Sequence, residues 1–509
     1  MSFGPPPSPY THSVLTQNDQ QKKRRRNRLL GLLAVVVVAA VGTAGLLAAR
    51  SDDKKKPTAD NAPAAGGGRL DVRETVERKP ATTTGDMAFR FSIDDAKPGE
   101  HTEMPGTWAT DKILAKGINQ TLAGFRTGTD AAPGDEVWRL RLAGPICGYT
   151  RRVTGENRTA VVFRDSKDKA SLCNHVAFFD LDDGKRIWEH EFPVSTIGDE
   201  QDTAPTDGAV QDTPSVTLTH ATVAVTWGGG TDAYDMDSGE RTWRTTESGS
   251  CQDMGAAGGR ALLVRLECWD DSQTSASWQT ITYKVRKVDP GTGKEKWTYA
   301  GTKGLRDLEL PSSDPPVVAV SAGETGFTEL LSLDDRGTVR ATIGLTGGSY
   351  VGDCSDQVDY LVVDDCQTIA VGLGQVFVRS KEAGAPHTSN WIIGFDLATG
   401  KTTEKFESGP DSLLYPLRVS GSRLLALRMS DDHISPSALV SLDPRTGKET
   451  PYLYFGVPQD ADTLTTLDEN DIVVQDGRLF FAAHAADGPG SGEAWTWLVL
   501  GIGSSTTEQ

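Results

Sequence analysis

The chain has 509 residues, of which 37% are hydrophobic, and a formal net charge of −18. A chain of this length is long enough to bury a large core. Its acidic balance repels nucleic acids and other polyanions, so we predict no nucleic-acid partner. Basic residues are concentrated near the N-terminus, so the remainder of the chain is more acidic than the total indicates.

The N-terminal region divides by composition into a tail and an apolar segment. Residues 1–28 are polar and begin with a proline-rich run, which predicts a disordered tail. Residues 29–49 contain no charge, and as a helix they would extend about 31 Å, close to the ~30 Å core of a bilayer. Six basic residues within 22–28 precede this segment and predict a cytoplasmic N-terminus.

We therefore expect a single transmembrane helix at 29–49 and an extracytoplasmic remainder at the cell membrane. A signal peptide is the alternative, although its apolar region is normally about 7–15 residues long. Residues 50–86 are rich in Lys, Asp, Ala, Pro and Gly, which predicts a flexible linker. Residues 87–509 then form the extracytoplasmic domain.

One turn sequence recurs seven times in that domain, at intervals of 45 to 62 residues. It consists of an Asp, a Gly four residues later and, in the complete copies, a Trp four residues beyond the Gly. The complete copies are Asp130–Gly134–Trp138, Asp180–Gly184–Trp188, Asp235–Gly239–Trp243 and Asp289–Gly293–Trp297; Asp396–Gly400 and Asp443–Gly447 lack the Trp, and Asp334–Gly337 is one residue shorter. A repeat of this length predicts a propeller or another repeat array.

Each copy has the chemistry of a β-hairpin. The residue before the Asp is usually apolar and ends a short alternating run, which is typical of a half-buried strand. The Asp carboxylate caps backbone N–H groups, and the Gly accepts a positive φ. A Trp at a fixed offset favours packing between units, with a tryptophan-lined quinone site as the alternative. Two copies also resemble calcium loops, but Gly stands where the fifth-position ligand belongs.

The domain is long enough for eight units of about 50 residues, with seven as the alternative. We predict an all-β propeller of four-stranded blades. The eighth blade would combine residues 478–485 and 494–503 with an N-terminal strand at 88–93. Closure by strands from both ends of the domain removes free sheet edges.

These turns resemble the Asp-x-x-Thr-Gly-Lys-x-x-x-Trp repeat of the pyrroloquinoline-quinone-like β-propellers. Lys185, Lys294, Lys401 and Lys448 occupy its Lys position, and the resemblance covers roughly residues 86–505. It implies the fold but not an activity, because the family includes both quinone enzymes and quinone-free propellers. The membrane-assembly members are lipoproteins, whereas the first cysteine of this chain is Cys147, far from the apolar segment.

The resemblance also supplies a comparison for catalysis. Quinoprotein dehydrogenases typically carry a disulfide between adjacent cysteines, a calcium ion and a catalytic Asp. No two cysteines of this chain are adjacent, and no acidic residue matches those roles. Its histidines show no metal-binding spacing, and no nucleophile elbow or phosphate loop is present. We therefore predict no enzyme, no cofactor and no catalytic or metal-binding residues.

All six cysteines follow the apolar segment, so they would lie outside the cytoplasm, where disulfides persist. They form three pairs that are close in sequence, and we predict the disulfides Cys147–Cys173, Cys251–Cys268 and Cys354–Cys366. A metal site is the alternative, but the chain has no C-x-x-C motif.

Together these features predict a membrane-anchored, extracytoplasmic propeller that acts as a non-enzymatic binding or scaffolding module at the cell envelope. Its partner would be another envelope protein or ligand that the sequence does not identify. The alternatives are a quinone-dependent dehydrogenase and a sensor ectodomain. The sensor is disfavoured because 28 cytoplasmic residues leave no room for an output domain.

Overall fold

The computed structural model describes residues 68–504, apart from residues 75, 94–98, 128–133, 169–170, 195–213, 247–249, 270–279, 323–325, 346–348, 353, 355–360, 385–386, 433, 468–469 and 489–495. The predicted tail, the predicted membrane span and the first part of the predicted linker lie outside this part of the chain. None of the helices in the described part is long and apolar enough to cross a membrane.

The strands form eight antiparallel sheets, here called blades 1–8 in chain order; seven of them have four strands, and blade 6 has five. Strands β1 (Gly85–Ile93) and β2 (His101–Glu103) precede them. Blade 1 contains β3 (Thr107–Ala109), β4 (Ile113–Ile118), β5 (Thr121–Arg126) and β6 (Glu136–Arg141); blade 2 contains β7 (Ile146–Tyr149), β8 (Arg158–Arg164), β9 (Cys173–Asp180) and β10 (Arg186–Glu191); blade 3 contains β11 (Ser215–Thr219), β12 (Thr222–Thr226), β13 (Thr231–Asp235) and β14 (Arg241–Arg244); blade 4 contains β15 (Cys251–Ala257), β16 (Leu262–Cys268), β17 (Thr282–Val288) and β18 (Glu295–Ala300).

The second half of the ring follows the same plan. Blade 5 contains β19 (Asp307–Ser313), β20 (Pro316–Ser321), β21 (Glu329–Leu333) and β22 (Val339–Gly344); blade 6 contains β23 (Tyr350–Val351), β24 (Ile369–Gly372), β25 (Gln375–Ser380), β26 (Trp391–Asp396) and β27 (Thr402–Glu407); blade 7 contains β28 (Ser412–Ser420), β29 (Arg423–Ser430), β30 (Ser437–Leu442) and β31 (Glu449–Phe455). After a short 3-10 helix (Gln459–Thr465), blade 8 contains β32 (Asn470–Gln475), β33 (Arg478–Ala483) and β35 (Thr496–Ser504); β34 (Ala485–Asp487) pairs with β2. Strands β23 and β24 share the inner position of blade 6, since both pair with β25.

Blade 8 is completed from the other end of the domain. Its strand order is β32-β33-β35-β1, so the N-terminal strand is the outermost one. Arg90 lies opposite Leu500 in this pairing. The prediction of eight blades, with the last closed by an N-terminal strand, is confirmed, and the alternative of seven blades is wrong.

Burial follows the position of a strand in its blade. Inner strands such as β11 are buried along their whole length, because the two neighbouring blades cover their two faces. Outer strands such as β6 bury only one or two side chains and expose charged ones. Charged side chains on an outer edge discourage pairing with other chains. The first strands of neighbouring blades contact one another (β7 with β11, and β11 with β15), which places them around the central channel.

The boundary predicted between linker and propeller needs a correction. Residues 68–74 and 76–84 fall within the predicted linker, but they pack on the blades, and β1 begins at Gly85. Arg73 N donates to Val153 O at 2.7 Å, and Thr84 pairs with Tyr454 of blade 7. The composition of this segment does not predict its ordered structure, because that structure depends on hydrogen bonds to distant residues rather than on an apolar pattern of its own. We call residues 68–84 the strap.

The six cysteines form three disulfides in the structure: Cys147–Cys173, Cys251–Cys268 and Cys354–Cys366. Cys251 and Cys268 lie directly opposite each other in the β15–β16 pairing. The Cys147–Cys173 bridge joins the inner strand of blade 2 to its third strand. Each bridge therefore closes a loop that belongs to a single blade.

Removing one of these disulfides should lower the free energy of unfolding by roughly 3 kcal/mol. The unfolded chain gains conformational entropy when a loop of about 15 residues is no longer closed, and this gain stabilises the unfolded state by about that amount. The sequence separations are 26, 17 and 12 residues. Peptide mapping without reductant, followed by denaturation of paired Cys→Ser variants, tests this result. Free thiols in the native protein, or a bridge that crosses between the pairs, would contradict it.

Candidate functional site

The Asp-Gly turns join the third and fourth strands of the blades, and in the six copies whose Asp is described the Asp caps its own turn. In blade 3, Asp235 Oδ1 accepts hydrogen bonds from Asp237 N at 3.1 Å and Ser238 N at 2.8 Å. Gly239 N donates to Asp235 O at 2.9 Å, and Gly239 has a φ of 72°. Because this conformation is rarely adopted by other residues, the turn requires Gly.

A tryptophan of the preceding blade packs on three of the four complete turns, those at Gly184, Gly239 and Gly293. Trp188 of blade 2 donates its indole N–H to Met236 O of blade 3 at 3.0 Å. A Cβ atom added to Gly239 would lie 2.7 Å from Trp188 Cγ, so no larger residue fits beneath the ring. The same indole bond occurs from Trp138 to Leu181 O at 3.0 Å and from Trp243 to Pro290 O at 2.7 Å. The turns therefore place these tryptophans at the seams between blades.

The incomplete copies of the turn differ from the complete ones in what packs on their glycines. Trp297 packs over Gly337 of the shortened turn, where an added Cβ would lie 2.6 Å from Trp297 Cε3. Its indole N–H has no acceptor among the described residues. At the seams without Trp, Gly400 faces the carbonyl of Thr342, and Gly447 faces the carboxylate of Glu404.

The first copy is only partly described. Asp130 lies outside the described residues, whereas Trp138 makes the seam between blades 1 and 2. Gly134 has a φ of 98°, and an added Cβ would lie 3.4 Å from Arg90 O of β1. This copy therefore meets the strand that closes blade 8.

Local hydrogen bonds set the ionisation of the turn carboxylates. The Thr292 hydroxyl lowers the pKa of Asp289, and the Thr399 hydroxyl does the same for Asp396. Burial instead raises the pKa of Asp180. These carboxylates already accept bonds from their own turns, and no group of three or more potential metal ligands occurs in the described part of the chain.

The centre of the channel is occupied by a segment from blade 6, residues 361–366, which we call the central loop. Leu361 and Val363 are fully buried. Leu310 N, on the inner strand of blade 5, donates to Val363 O at 2.7 Å. The central loop thus packs against the inner strands instead of lying over the surface, and Cys366 at its end is held by the disulfide to Cys354.

Ion pairs join the central loop to the opposite side of the ring. Arg151 Nη1 lies 3.1 Å from Asp365 Oδ1, and Arg152 Nη2 lies 3.1 Å from Asp364 Oδ2. The arginines follow the inner strand of blade 2, and the aspartates belong to blade 6, four positions away in a ring of eight. Thr217 of blade 3 donates a further bond to Asp364 Oδ2 at 3.2 Å.

The same arginine also reaches blade 8. Arg151 Nη2 lies 3.1 Å from Asp471 Oδ1, and the Tyr149 hydroxyl donates to that oxygen at 3.0 Å. His484 Nε2 lies 3.0 Å from it as well. Burial by itself would raise the pKa of Asp471, but the charges of Arg151 and His484 outweigh burial and hold the pKa well below its ordinary value. Asp471 is therefore a carboxylate in this network.

Lys116 of blade 1 lies near this network with no exposed surface. Its Nζ donates to Met104 O at 2.5 Å and Thr107 Oγ1 at 2.9 Å. Burial lowers the pKa of Lys116 to about 8. Because main-chain and hydroxyl oxygens already hold this amine, we assign it a structural role.

Sequence reasoning did not identify this network. The residues that carry it are two pairs of like charges, Arg151–Arg152 and Asp364–Asp365, together with Asp471. One sequence feature could have indicated the network: each pair lies near an apolar run. The run Leu361–Val363 directly precedes the aspartates, and the run Val161–Phe163 lies in the strand that follows the arginines. Adjacent charges beside buried strands are expected to be paired.

These features define the class of protein: an eight-bladed propeller whose blades dock through Asp-Gly turns and tryptophans, with a channel occupied by its own chain. The family model described as outer membrane protein assembly factor BamB matches residues 173–449. The chain therefore belongs to this family of pyrroloquinoline-quinone-like propellers, as its turns predicted.

The chain is also similar to several solved structures. BamB from Moraxella catarrhalis is 11% identical, with 80% of this chain and 99% of that chain covered and a TM-score of 0.41. The quinohemoprotein alcohol dehydrogenase ADHIIG from Pseudomonas putida HK5 is 12% identical, with 87% and 81% covered and a TM-score of 0.45. A europium-containing methanol dehydrogenase is 13% identical, with 81% and 85% covered and a TM-score of 0.45. A search of curated protein sequences finds no match.

Proposed function

We propose that this protein is a non-enzymatic binding or scaffolding module of the cell envelope. The observation that supports this best is that the central loop and its ion pairs occupy the channel. A cofactor at the centre would have to displace Asp365 from Arg151, which lie 3.1 Å apart. That displacement is unfavourable, because it would take the Asp365 carboxylate away from its cationic partner.

The tryptophans also favour a structural role. The indole N–H groups of Trp138, Trp188 and Trp243 donate to carbonyls of the next blade, at 2.7–3.0 Å. Their rings cover the glycines of the docking turns. Groups engaged in this way at the seams are not available to line a quinone site. The family description, an assembly factor, supports binding to other proteins of the envelope.

Pyrroloquinoline quinone with calcium should leave the melting temperature unchanged, since a ligand stabilises a protein only when it binds the folded state. We also expect no reduction of an artificial electron acceptor with alcohols or sugars. Differential scanning fluorimetry at micromolar cofactor tests the first point, and a dye-reduction assay tests the second, with a quinone dehydrogenase as positive control for both. A rise of several degrees together with dye reduction would establish the alternative, a quinone-dependent dehydrogenase.

We further propose that residues 29–49 anchor the protein in the cell membrane with the propeller outside the cytoplasm. The support is the uncharged segment and the basic residues before it. The disulfides are in keeping with an oxidising compartment.

Protease added to spheroplasts should release the soluble propeller domain while the N-terminal tail stays protected. Replacing Arg24, Arg25 and Arg26 by Glu should weaken this orientation, because cytoplasmic Lys and Arg set it. A reporter fused after Gln509 provides an independent measurement. Reporter activity characteristic of the cytoplasm would show that the orientation is wrong.

A further inference from the structure

The strap contacts two opposite sides of the ring. Residues 69–74 lie on the hairpin turns of blades 1–4, and residues 76–80 lie on those of blades 7 and 8. These turns join either the first two strands of a blade or, in the Asp-Gly turns, the third and fourth strands. Because successive strands are antiparallel, both kinds of turn lie on the same face of the propeller. The strap therefore passes over one end of the central channel.

The first part is held by backbone and side-chain bonds. Arg73 N donates to Val153 O at 2.7 Å, and Gly155 N donates to Asp71 O at 2.9 Å, so the strap pairs antiparallel with the turn between the first two strands of blade 2. Leu70 is buried in the apolar cluster between blades 2 and 3, and Leu70 O accepts from Ala221 N at 3.2 Å. Glu74 pairs with Arg260 of blade 4.

The later part is fixed by one buried carboxylate. The Glu77 side chain has no exposed surface. Its Oε1 accepts from Arg418 Nη2 of blade 7 at 2.5 Å, and its Oε2 accepts from Gly477 N of blade 8 at 2.8 Å. Glu77 N donates to Ser420 Oγ at 2.7 Å. A buried carboxylate is stable only when it is paired in this way, so this contact has little freedom to slide.

The distance along the chain fits a direct crossing. Leu70 and Glu77 are seven residues apart, and an extended chain spans about 3.3–3.6 Å per residue, or roughly 23–25 Å. Blades 3 and 7 are four positions apart in the ring of eight. The crossing is separate from the closure by β1, which begins only at Gly85.

We propose that the strap is a latch across the channel mouth, which holds blades 7 and 8 in place relative to blades 2–4. Displacement of either end then loosens the other end. This inference does not depend on the membrane anchor or on the absence of a cofactor. It makes the strap a control element for the ring, because anything that moves the strap acts on opposite blades together.

Native-state hydrogen exchange of the full chain tests this coupling. Arg73→Pro removes the N–H donor to Val153 and the guanidinium bonds to Asn157 Oδ1 and Ala109 O. It should raise the exchange rates of the Glu77 and Gly477 amides about tenfold or more, since local stability sets these rates. Glu77→Ala should have the reciprocal effect on Gly155 and Ala221. Arg336→Pro is the matched control, because Arg336 N donates to Asp334 Oδ1 at 2.9 Å in a turn of the same face that the strap does not contact.

The control should leave exchange at both strap ends within about twofold of the native protein. If Arg73→Pro does not fold, Leu70→Ala provides the same measurement with a smaller disturbance. An increase at both ends supports the latch. Faster exchange confined to the side that carries the substitution would overturn the proposal and leave the strap as two independent surface contacts.

Discussion

Trp188→Ala is expected to lower the free energy of unfolding by about 3–5 kcal/mol, as large-to-small changes of buried aromatic residues do. The ring is 9% exposed and lies against Phe178 at a centroid distance of 5.4 Å. The substitution removes this contact, opens a cavity at the seam and leaves Met236 O without the indole donor. Urea denaturation followed by circular dichroism measures the loss.

The four docking tryptophans provide internal controls for that prediction. Trp138 and Trp243 make the same indole bond as Trp188, so Trp→Phe at any of these three positions should cost about 0.5–1.5 kcal/mol for the lost hydrogen bond, in addition to any packing change. Trp297 has no acceptor among the described residues, so Trp297→Phe should cost less. Equal effects at all four positions would show that the indole bonds do not contribute, and Trp188→Ala losses below about 1 kcal/mol would contradict docking itself.

Arg151→Met is expected to lower the free energy of unfolding by about 3–5 kcal/mol, because removing one partner of a buried ion pair leaves an uncompensated charge. Asp365 and Asp471 both face Arg151 at 3.1 Å, and Asp471 has only 2% of its side chain exposed. Met keeps most of the side-chain volume, so the loss reports the charge rather than a cavity. Chemical denaturation at neutral pH measures it.

Arg139→Met is the control for this change. Arg139 pairs with Glu136 at 2.5 Å, but its side chain is 56% exposed, and exposed pairs contribute about 0–1 kcal/mol. The two substitutions are chemically identical and differ in the environment of the arginine. Similar losses from both would show that the channel network does not hold the central loop.

The propeller itself could be predicted from the sequence because its determinants are local. The turn from Asp235 to Gly239 contains its own capping carboxylate and its own positive-φ residue, so five residues encode a hairpin. The spacing of that turn together with the length of the domain indicated eight blades, and the alternating run near each end of the domain indicated how blade 8 closes. The contacts made by β1 extend across the whole domain, but a repeat ring needs some closing strand, which made this pairing predictable.

The strap and the channel network could not be predicted in this way. Glu77 lies 341 residues from Arg418, and Arg152 lies 212 residues from Asp364. Neither pair shares a periodic pattern, because each occurs once in the ring rather than once in each blade. The predicted flexible linker therefore included residues that the structure orders. Local chemistry determined the repeated blade, whereas the closed ring decided which unrepeated residues meet at its centre, because only closure brings opposite blades within bonding distance.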